Sequence, residues 1–476
     1  MRSLPILLLI GSTALAGCAT SARQADVALP SAFEAVQGAP ADAIALDRWW
    51  TAFNDPQLTQ LVDDALARNT DARTAAARLQ EARATRTGSL LQQFFPQGNL
   101  TGSARRTETE QLGGQVINIP GFSNTGVSEA YSANFDVSWQ LDFFGRFLSA
   151  RRAANAEVAA SRFAYEAARA NVAAQVADAY FQARGLAIQV ADARETARIQ
   201  TELSNLATRR AQAGLAASAD ADRIAGDLAQ ANAQVAALEA ELQAQKRTLL
   251  ILAGRVVEPT ASLNVPPAVG ETPPVPASIP SQLLARRPDV REAQARVVSA
   301  AGQTALARLA FLPTFTLTPG LGWSRNIQPG FESETANWSI GGAVSQPILD
   351  IPRLLAELRA QNARTEQAVI GYERAVQTAF QESEGALVRL DADRRRVALL
   401  RDGEVRAARA FEASRIGYQR GLNDLQTTLS AEQSWRATRT QLTSAQVQAL
   451  RRAVQAYQAL GGGWPAQDFP TNAQAR

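Results

Sequence analysis

The chain has no histidine and one cysteine, Cys18, in 476 residues. A lack of histidine removes the commonest general base and the commonest metal ligand. A lone cysteine cannot form a disulfide within the chain, and it leaves no Cys/His zinc set. Only one lysine is present, Lys246. With 48 basic and 45 acidic residues the net charge is +3, and no Lys/Arg block offers a nucleic-acid surface. Neither a phosphate-binding P-loop nor a dinucleotide fingerprint occurs. The expectation is a protein without cofactor and without enzymatic chemistry.

The first residues read as an export signal. Arg2 precedes an apolar run from Leu4 to Ile10, followed by small residues up to Cys18. That run is too short to span a bilayer as a helix. Leu15-Ala16-Gly17-Cys18 resembles a bacterial lipobox. The resemblance implies removal of residues 1–17 and a covalent lipid on Cys18. Ala19 follows where an aspartate would mark inner-membrane retention, so the resemblance points to the outer membrane. The other reading is ordinary cleavage after Ala16, with Cys18 incidental.

The chain is internally duplicated. ALARNTDARTAAARLQEARA (Ala65 to Ala84) is answered by LLARRPDVREAQARVVSAAG (Leu283 to Gly302). Arg146 to Gly214 and Arg353 to Gly421 are each 68 residues apart (214 − 146; 421 − 353), with Gln212/Gln419 and Leu215/Leu422 in register. Such self-similarity marks two copies of one unit. The copies occupy residues 18–254 and 283–464. A Pro-rich joint, 255–282, separates them and a short tail, 465–476, follows.

Each copy predicts two long helices, 146–213 and 218–253 in the first and 353–420 and 424–460 in the second. The longer ones lack proline through their length and are rich in Ala, Arg, Glu and Gln, which are good helix formers. At about 1.5 Å per residue each makes a rod of roughly 100 Å. Gly-Leu pairs turn the chain back into antiparallel hairpins.

Four strands are predicted at about 97–106, 130–143, 314–324 and 337–346. In EAYSANFDVSWQLDFF, Tyr131, Phe135, Val137, Trp139 and Leu141 alternate with polar residues, as a strand with one lipid-facing side would. Thr107 to Ser128 reads as a polar, Gly-rich external loop. A small sheet lying on the helices with one wet face is the competing reading. Four strands cannot close a barrel, and open edges are not tolerated in lipid. A membrane-spanning version therefore needs several chains, and three would give twelve strands.

Several motifs together resemble the outer membrane factors of the TolC/OprM type, in the lipoprotein branch labelled NodT. They are the lipobox, Trp49-Trp50-x-x-Phe53-x-Asp55-Pro56-x-Leu58, Leu141-Asp142-Phe143-Phe144-Gly145-Arg146, Ala285-Arg286-Arg287-Pro288-Asp289-Val290, and Ala213-Gly214-Leu215-Ala216 leading to Asp220. The resemblance implies a mainly α fold with a transmembrane β-barrel contribution. It implies a homotrimer with a twelve-stranded barrel on a periplasmic α-helical tunnel. Its implied role is a passive duct for drugs and other small molecules, fed by an RND-type inner-membrane pump through a periplasmic membrane-fusion adaptor.

The resemblance also assigns residues. Gly214, Leu215, Gly421 and Leu422 would meet the adaptor. The family narrows its tunnel with a leucine and an aspartate at places that here hold Gln426 and Ser430, a departure from the usual gate. Asp220, Asp222, Asn423 and Asp424 are lumen candidates, with helix capping as the plain alternative. The sequence leaves two other functions open: the outer duct of a type I protein-secretion system, and a structural periplasmic coiled-coil lipoprotein.

Overall fold

In the computed structural model the described residues are 25, 28–34, 46–110, 112–114, 118–119, 122–123, 125–214, 217–275, 280–281 and 286–464. Cys18, Leu215, Ala285 and the tail from residue 465 lie outside them. Seven α-helices are described: α1 (Pro56–Arg68), α2 (Thr70–Phe94), α3 (Arg146–Gln212), α4 (Ser218–Leu252), α5 (Pro288–Leu309), α6 (Ile351–Gln419) and α7 (Leu425–Ala459). The strands are β1 (Gln97–Thr109), β2 (Asn118–Ile119), β3 (Phe122–Ser123), β4 (Gly126–Leu141), β5 (Thr314–Gln328) and β6 (Phe331–Ser345). No described helix is long and apolar enough to cross a membrane.

One compact unit includes Gln80–Ala160 and Gln294–Gly371. It holds a four-stranded antiparallel sheet in the order β1-β4-β5-β6. The two repeats therefore meet at β4 and β5. All four strands run past their expected outer ends, to Thr109 in β1, back to Gly126 in β4, to Gln328 in β5 and back to Phe331 in β6. The reason is cross-strand pairing of residues that break the apolar alternation. Arg325 faces Glu334 and Glu332 faces Ile327, with Arg325 and Glu332 forming an ion pair. Thr107–Thr109 pair with Gly126–Ser128, so the expected loop Thr107 to Ser128 is strand at both ends, and β2 pairs with β3 inside it.

At the other end β4 stops at Leu141 rather than 143. The Asp142 carboxylate instead accepts hydrogen bonds from the backbone N–H groups of Phe144 (3.2 Å), Arg146 (2.9 Å) and Phe147 (2.7 Å). These satisfy the free donors that begin α3. Although burial alone would raise it, these bonds hold the Asp142 carboxyl below its usual value. Arg146 then donates to the carbonyls of Leu309 and Leu312, 2.8 Å each. The Leu-Asp-Phe-Phe-Gly-Arg motif is thus a strand-to-helix joint.

The second unit draws its residues from Asp26–Leu79, Ser161–Ala293 and Tyr372–Arg476. Its main core gathers Trp49, Trp50, Leu58, Leu61, Tyr180, Phe181, Leu249, Leu250 and Tyr457. Trp49 stacks on Tyr457 with ring centroids 5.7 Å apart and planes 14° from parallel. Asp55 caps α1, accepting from Gln57 N at 3.0 Å and Leu58 N at 3.1 Å. Its other oxygen takes the Tyr180 hydroxyl at 2.8 Å and pairs with Arg184. Buried Arg287 does similar work for the second repeat, holding Asp289 (2.6 Å), Glu382 (2.7 Å) and the Ala459 carbonyl (3.2 Å).

The expected ends of the helices shift by one or two residues because the turn residues take over. α6 starts at Ile351 rather than 353, and α7 starts at Leu425 because Asp424 is its cap.

Candidate functional site

Pairing register gives the sheet two chemically distinct faces. Leu100, Phe135, Leu321 and Trp338 form one row across all four strands. The next row, one residue along, is Thr101, Asn134, Gly322 and Asn337. Because successive side chains point to opposite faces, the apolar row and the polar row lie on opposite sides. Tyr131, Phe135, Val137, Trp139 and Leu141 all fall on the first side, joined there by Phe315, Leu317, Trp323, Ile340 and Val344.

That side is open. Leu321 is 60% exposed, Ile340 67% and Trp338 73%. An apolar surface this continuous on a soluble protein marks a partner or a membrane. The run from Tyr131 to Leu141 lies within the roughly 9–11 residues a tilted strand needs to cross a bilayer. Polar groups bound the same face. Arg106 meets Glu129 at 3.1 Å, the Tyr131 hydroxyl donates to Glu129 at 2.9 Å, and Trp323 donates to Glu334 at 2.8 Å. At the opposite end Trp139 donates to the Phe94 carbonyl at 3.1 Å.

On the second side, Ser103 bonds Ser132 (2.9 Å) and Ser324 bonds Thr335 (2.8 Å). A Cβ on Gly322 would come within 2.5 Å of Asn337 Oδ1 and 2.9 Å of Asn134 Oδ1, so glycine leaves room for this amide row. Among the described residues β1 pairs only with β4 and β6 only with β5. Both outer edges keep unpaired backbone donors and acceptors.

In the second unit, the helical hairpins turn at Gly214 (φ +71°) and Gly421 (φ +74°), a left-handed conformation that favours glycine. Leu422 is 76% exposed beside it. Behind the tips, Ile199, Leu203, Ile224, Phe411, Tyr418 and Leu429 form one cluster that ties the two hairpins together.

The tunnel candidates separate by geometry. Asp424 caps α7, its Oδ1 accepting from Thr427 N at 2.7 Å, and these Thr427 bonds lower its pKa. Asn423 folds back to donate to the Ser414 carbonyl at 3.4 Å. Asp220 sits in the first turn of α4, where a negative charge suits the helix dipole, and Asp222 is exposed. Gln426 accepts from Arg223 of the other hairpin at 3.2 Å, and Ser430 is exposed.

Two positions have no forecast in the motifs. Gly254 (φ +69°) and Gly461 (φ +79°) end α4 and α7, and they are 207 residues apart (461 − 254), the same offset that relates Gly214 to Gly421. In each, the next backbone N–H reaches back five residues, Arg255 to Leu250 (2.7 Å) and Gly462 to Tyr457 (2.9 Å). A Cβ on Gly254 would meet Arg68 Cβ at 2.5 Å, and one on Gly461 would meet Arg286 Cβ at 3.0 Å. The duplication itself was the signal that could have found them.

Known proteins agree with this architecture. The family model for outer membrane efflux protein matches residues 61–255 and 279–462. The pyoverdine export outer membrane protein OpmQ of Pseudomonas putida is 30% identical over 472 residues, covering 98% of both chains. The cation efflux system protein CusC of Escherichia coli is 28% identical over 426 residues, covering 87% of this chain and 88% of its own. The solved structure of the outer-membrane channel OprN superposes with a TM-score of 0.77 at 28% identity, over 93% of this chain and 99% of its own. With both repeats matched along their length, this chain belongs to the outer membrane efflux protein family.

Proposed function

We propose that the chain is the outer-membrane duct of a tripartite efflux system and that three copies build it. The observation that carries the reading is the two-faced sheet with two open edges. A bilayer does not tolerate unpaired edges, so β1 of one copy must find β6 of the next. Twelve strands would then close with the Phe135 row outward and the Asn134 row lining the pore.

The relatives support export as the shared task while differing in cargo. OpmQ carries pyoverdine in its name, CusC cations, and a further relative from Pseudomonas putida, TtgC, is a toluene efflux pump outer membrane protein. So wide a range favours a duct that conducts small molecules and leaves their selection to its pump. Family and relatives are transport proteins, and the absence of histidine suits a duct that performs no chemistry.

The finer assignments belong to the same proposal. Gly214, Leu215, Gly421 and Leu422 present the hairpin tips to a periplasmic membrane-fusion adaptor, with an RND-type pump beyond it. Gln426 and Ser430, with Asp220 and Asp222, line the narrow end of the tunnel, where the Arg223–Gln426 contact bridges the hairpins. Cys18 carries the lipid. Light scattering of the detergent-solubilised protein tests the assembly: three chains per particle are expected, and a stable monomer would overturn it. Labelled palmitate should enter the native protein but not Cys18→Ala, and equal labelling of the two would remove the anchor.

A further inference from the structure

A cleft of about 550 Å³ opens between α3, α4 and α7. Two of its lining side chains are almost wholly buried, Glu432 (1% exposed) and Gln200 (4%). Gln200 Nε2 donates to Glu432 Oε2 at 3.0 Å. That bond leaves Glu432 Oε1 and Gln200 Oε1 buried without any hydrogen-bond donor. The nearest cation, Arg436, forms an ion pair with Glu432 Oε1 from 3.9 Å, beyond hydrogen-bond reach, and its own buried Nε also has no partner. Buried acceptors left without donors are costly and uncommon.

The surroundings favour a cation as the missing partner. Asp227 lines the same cleft from α4, and Asp192 and Glu195 line it from α3, with Glu195 paired to Arg198 at 2.6 Å. Arg439 is already committed to Asp192 at 2.7 Å, and Glu404 of α6 accepts from Trp435 at 3.0 Å. Among the described residues no group of acidic side chains is close enough to hold a metal ion. An amide oxygen beside a carboxylate oxygen suits an N–H donor instead.

We propose that this cleft binds a primary ammonium group, the protonated end of an organic amine. Its N–H donors are shared between Glu432 Oε1, Gln200 Oε1 and the Asp227 carboxylate. The site needs the cation to be both charged and rich in N–H. Gln200 lies on α3 and Glu432 on α7, so an occupied site ties the first repeat to the second. This site is independent of the efflux reading.

The electrostatics add a pH signature. Burial pushes the Glu432 carboxyl above its usual range, Arg436 and Gln200 pull it partway back, and Asp227 raises it further. Only the ionised form attracts the ammonium, so binding strengthens as pH rises through that value.

Calorimetric titration of the full chain in detergent with butylammonium tests this. The native protein should give saturable binding, with tetramethylammonium, which has no N–H, at least about tenfold weaker. Glu432→Gln should weaken butylammonium at least about tenfold with helical circular dichroism intact, whereas exposed Glu241→Gln should leave it unchanged. Should Glu432→Gln fail to fold, the native protein alone decides, through tighter binding as pH rises above the ordinary glutamate range. No saturable heat, equal affinity for both cations, undiminished binding by Glu432→Gln, or a flat pH profile would each overturn the site.

Discussion

Phe135 of β4 lies directly opposite Leu321 of β5, the two strands that join one repeat to the other. Leu100 and Trp338 extend the row to both edges of the sheet. If this row faces lipid, Phe135→Arg or Leu321→Arg should cost about 2–4 kcal/mol. Ser132→Arg, on the polar side, should assemble nearly as the native chain does. The fraction of heat-resistant oligomer after refolding into vesicles measures the difference, and equal yields for Phe135→Arg and Ser132→Arg would contradict the assignment.

The four helix-ending glycines should not be equivalent. All four have positive φ, so alanine is strained at each by roughly 1–2 kcal/mol. At Gly214 and Gly421 nothing lies within 4 Å of the added Cβ. At Gly254 the Arg68 side chain is 2.5 Å away, which adds an overpacking cost of about 1–3 kcal/mol. Denaturation midpoints should therefore fall further for Gly254→Ala than for Gly421→Ala.

Asp55 serves three partners at once: the start of α1, the Tyr180 hydroxyl and Arg184. Burial, and then the Asp55 hydrogen bond, drive the Tyr180 hydroxyl pKa upward. Removing the carboxylate leaves Arg184 charged in a site where its side chain is 13% exposed. Asp55→Ala should cost about 3–5 kcal/mol, read from the shift in urea midpoint. Asp63→Ala, whose Arg48 partner is 57% exposed, should cost less than about 1 kcal/mol.

Glu432 gives stability a pH dependence of known sign. Well below about pH 4.3 the group is protonated whether folded or unfolded. Above that the unfolded chain ionises first, because burial holds the native carboxyl at a higher value. Stability therefore falls as pH rises, until the native group ionises too. In amine-free buffer, Glu432→Gln should flatten this part of the profile. An unchanged slope would place the titrating group elsewhere.

Much of this architecture is legible in the sequence, because two strong periodicities carry it. The 68-residue spacing from Arg146 to Gly214 and from Arg353 to Gly421 places both long helices and both tips. Strict alternation from Tyr131 to Leu141 marks the apolar face of β4. Strand extension past Ser324 is not legible, since Arg325, Glu332 and Glu334 interrupt the alternation and only their cross-strand partners keep them in the sheet. Nor is the order β1-β4-β5-β6, which depends on pairing between repeats. Asp424 and Asn423 carry charge or polarity near a tip, as tunnel residues would, but their side chains serve the turn itself. Glu432 reads as one more polar position on an alanine-rich helix, and its burial arises only where α3 and α7 meet.

In the proposed trimer the open sheet edges close between copies. Electron microscopy of the detergent-solubilised protein tests it most directly. Threefold particles are expected, in which twelve strands form one closed ring, β1 of each copy paired with β6 of the next. Single chains with both edges unpaired would contradict it.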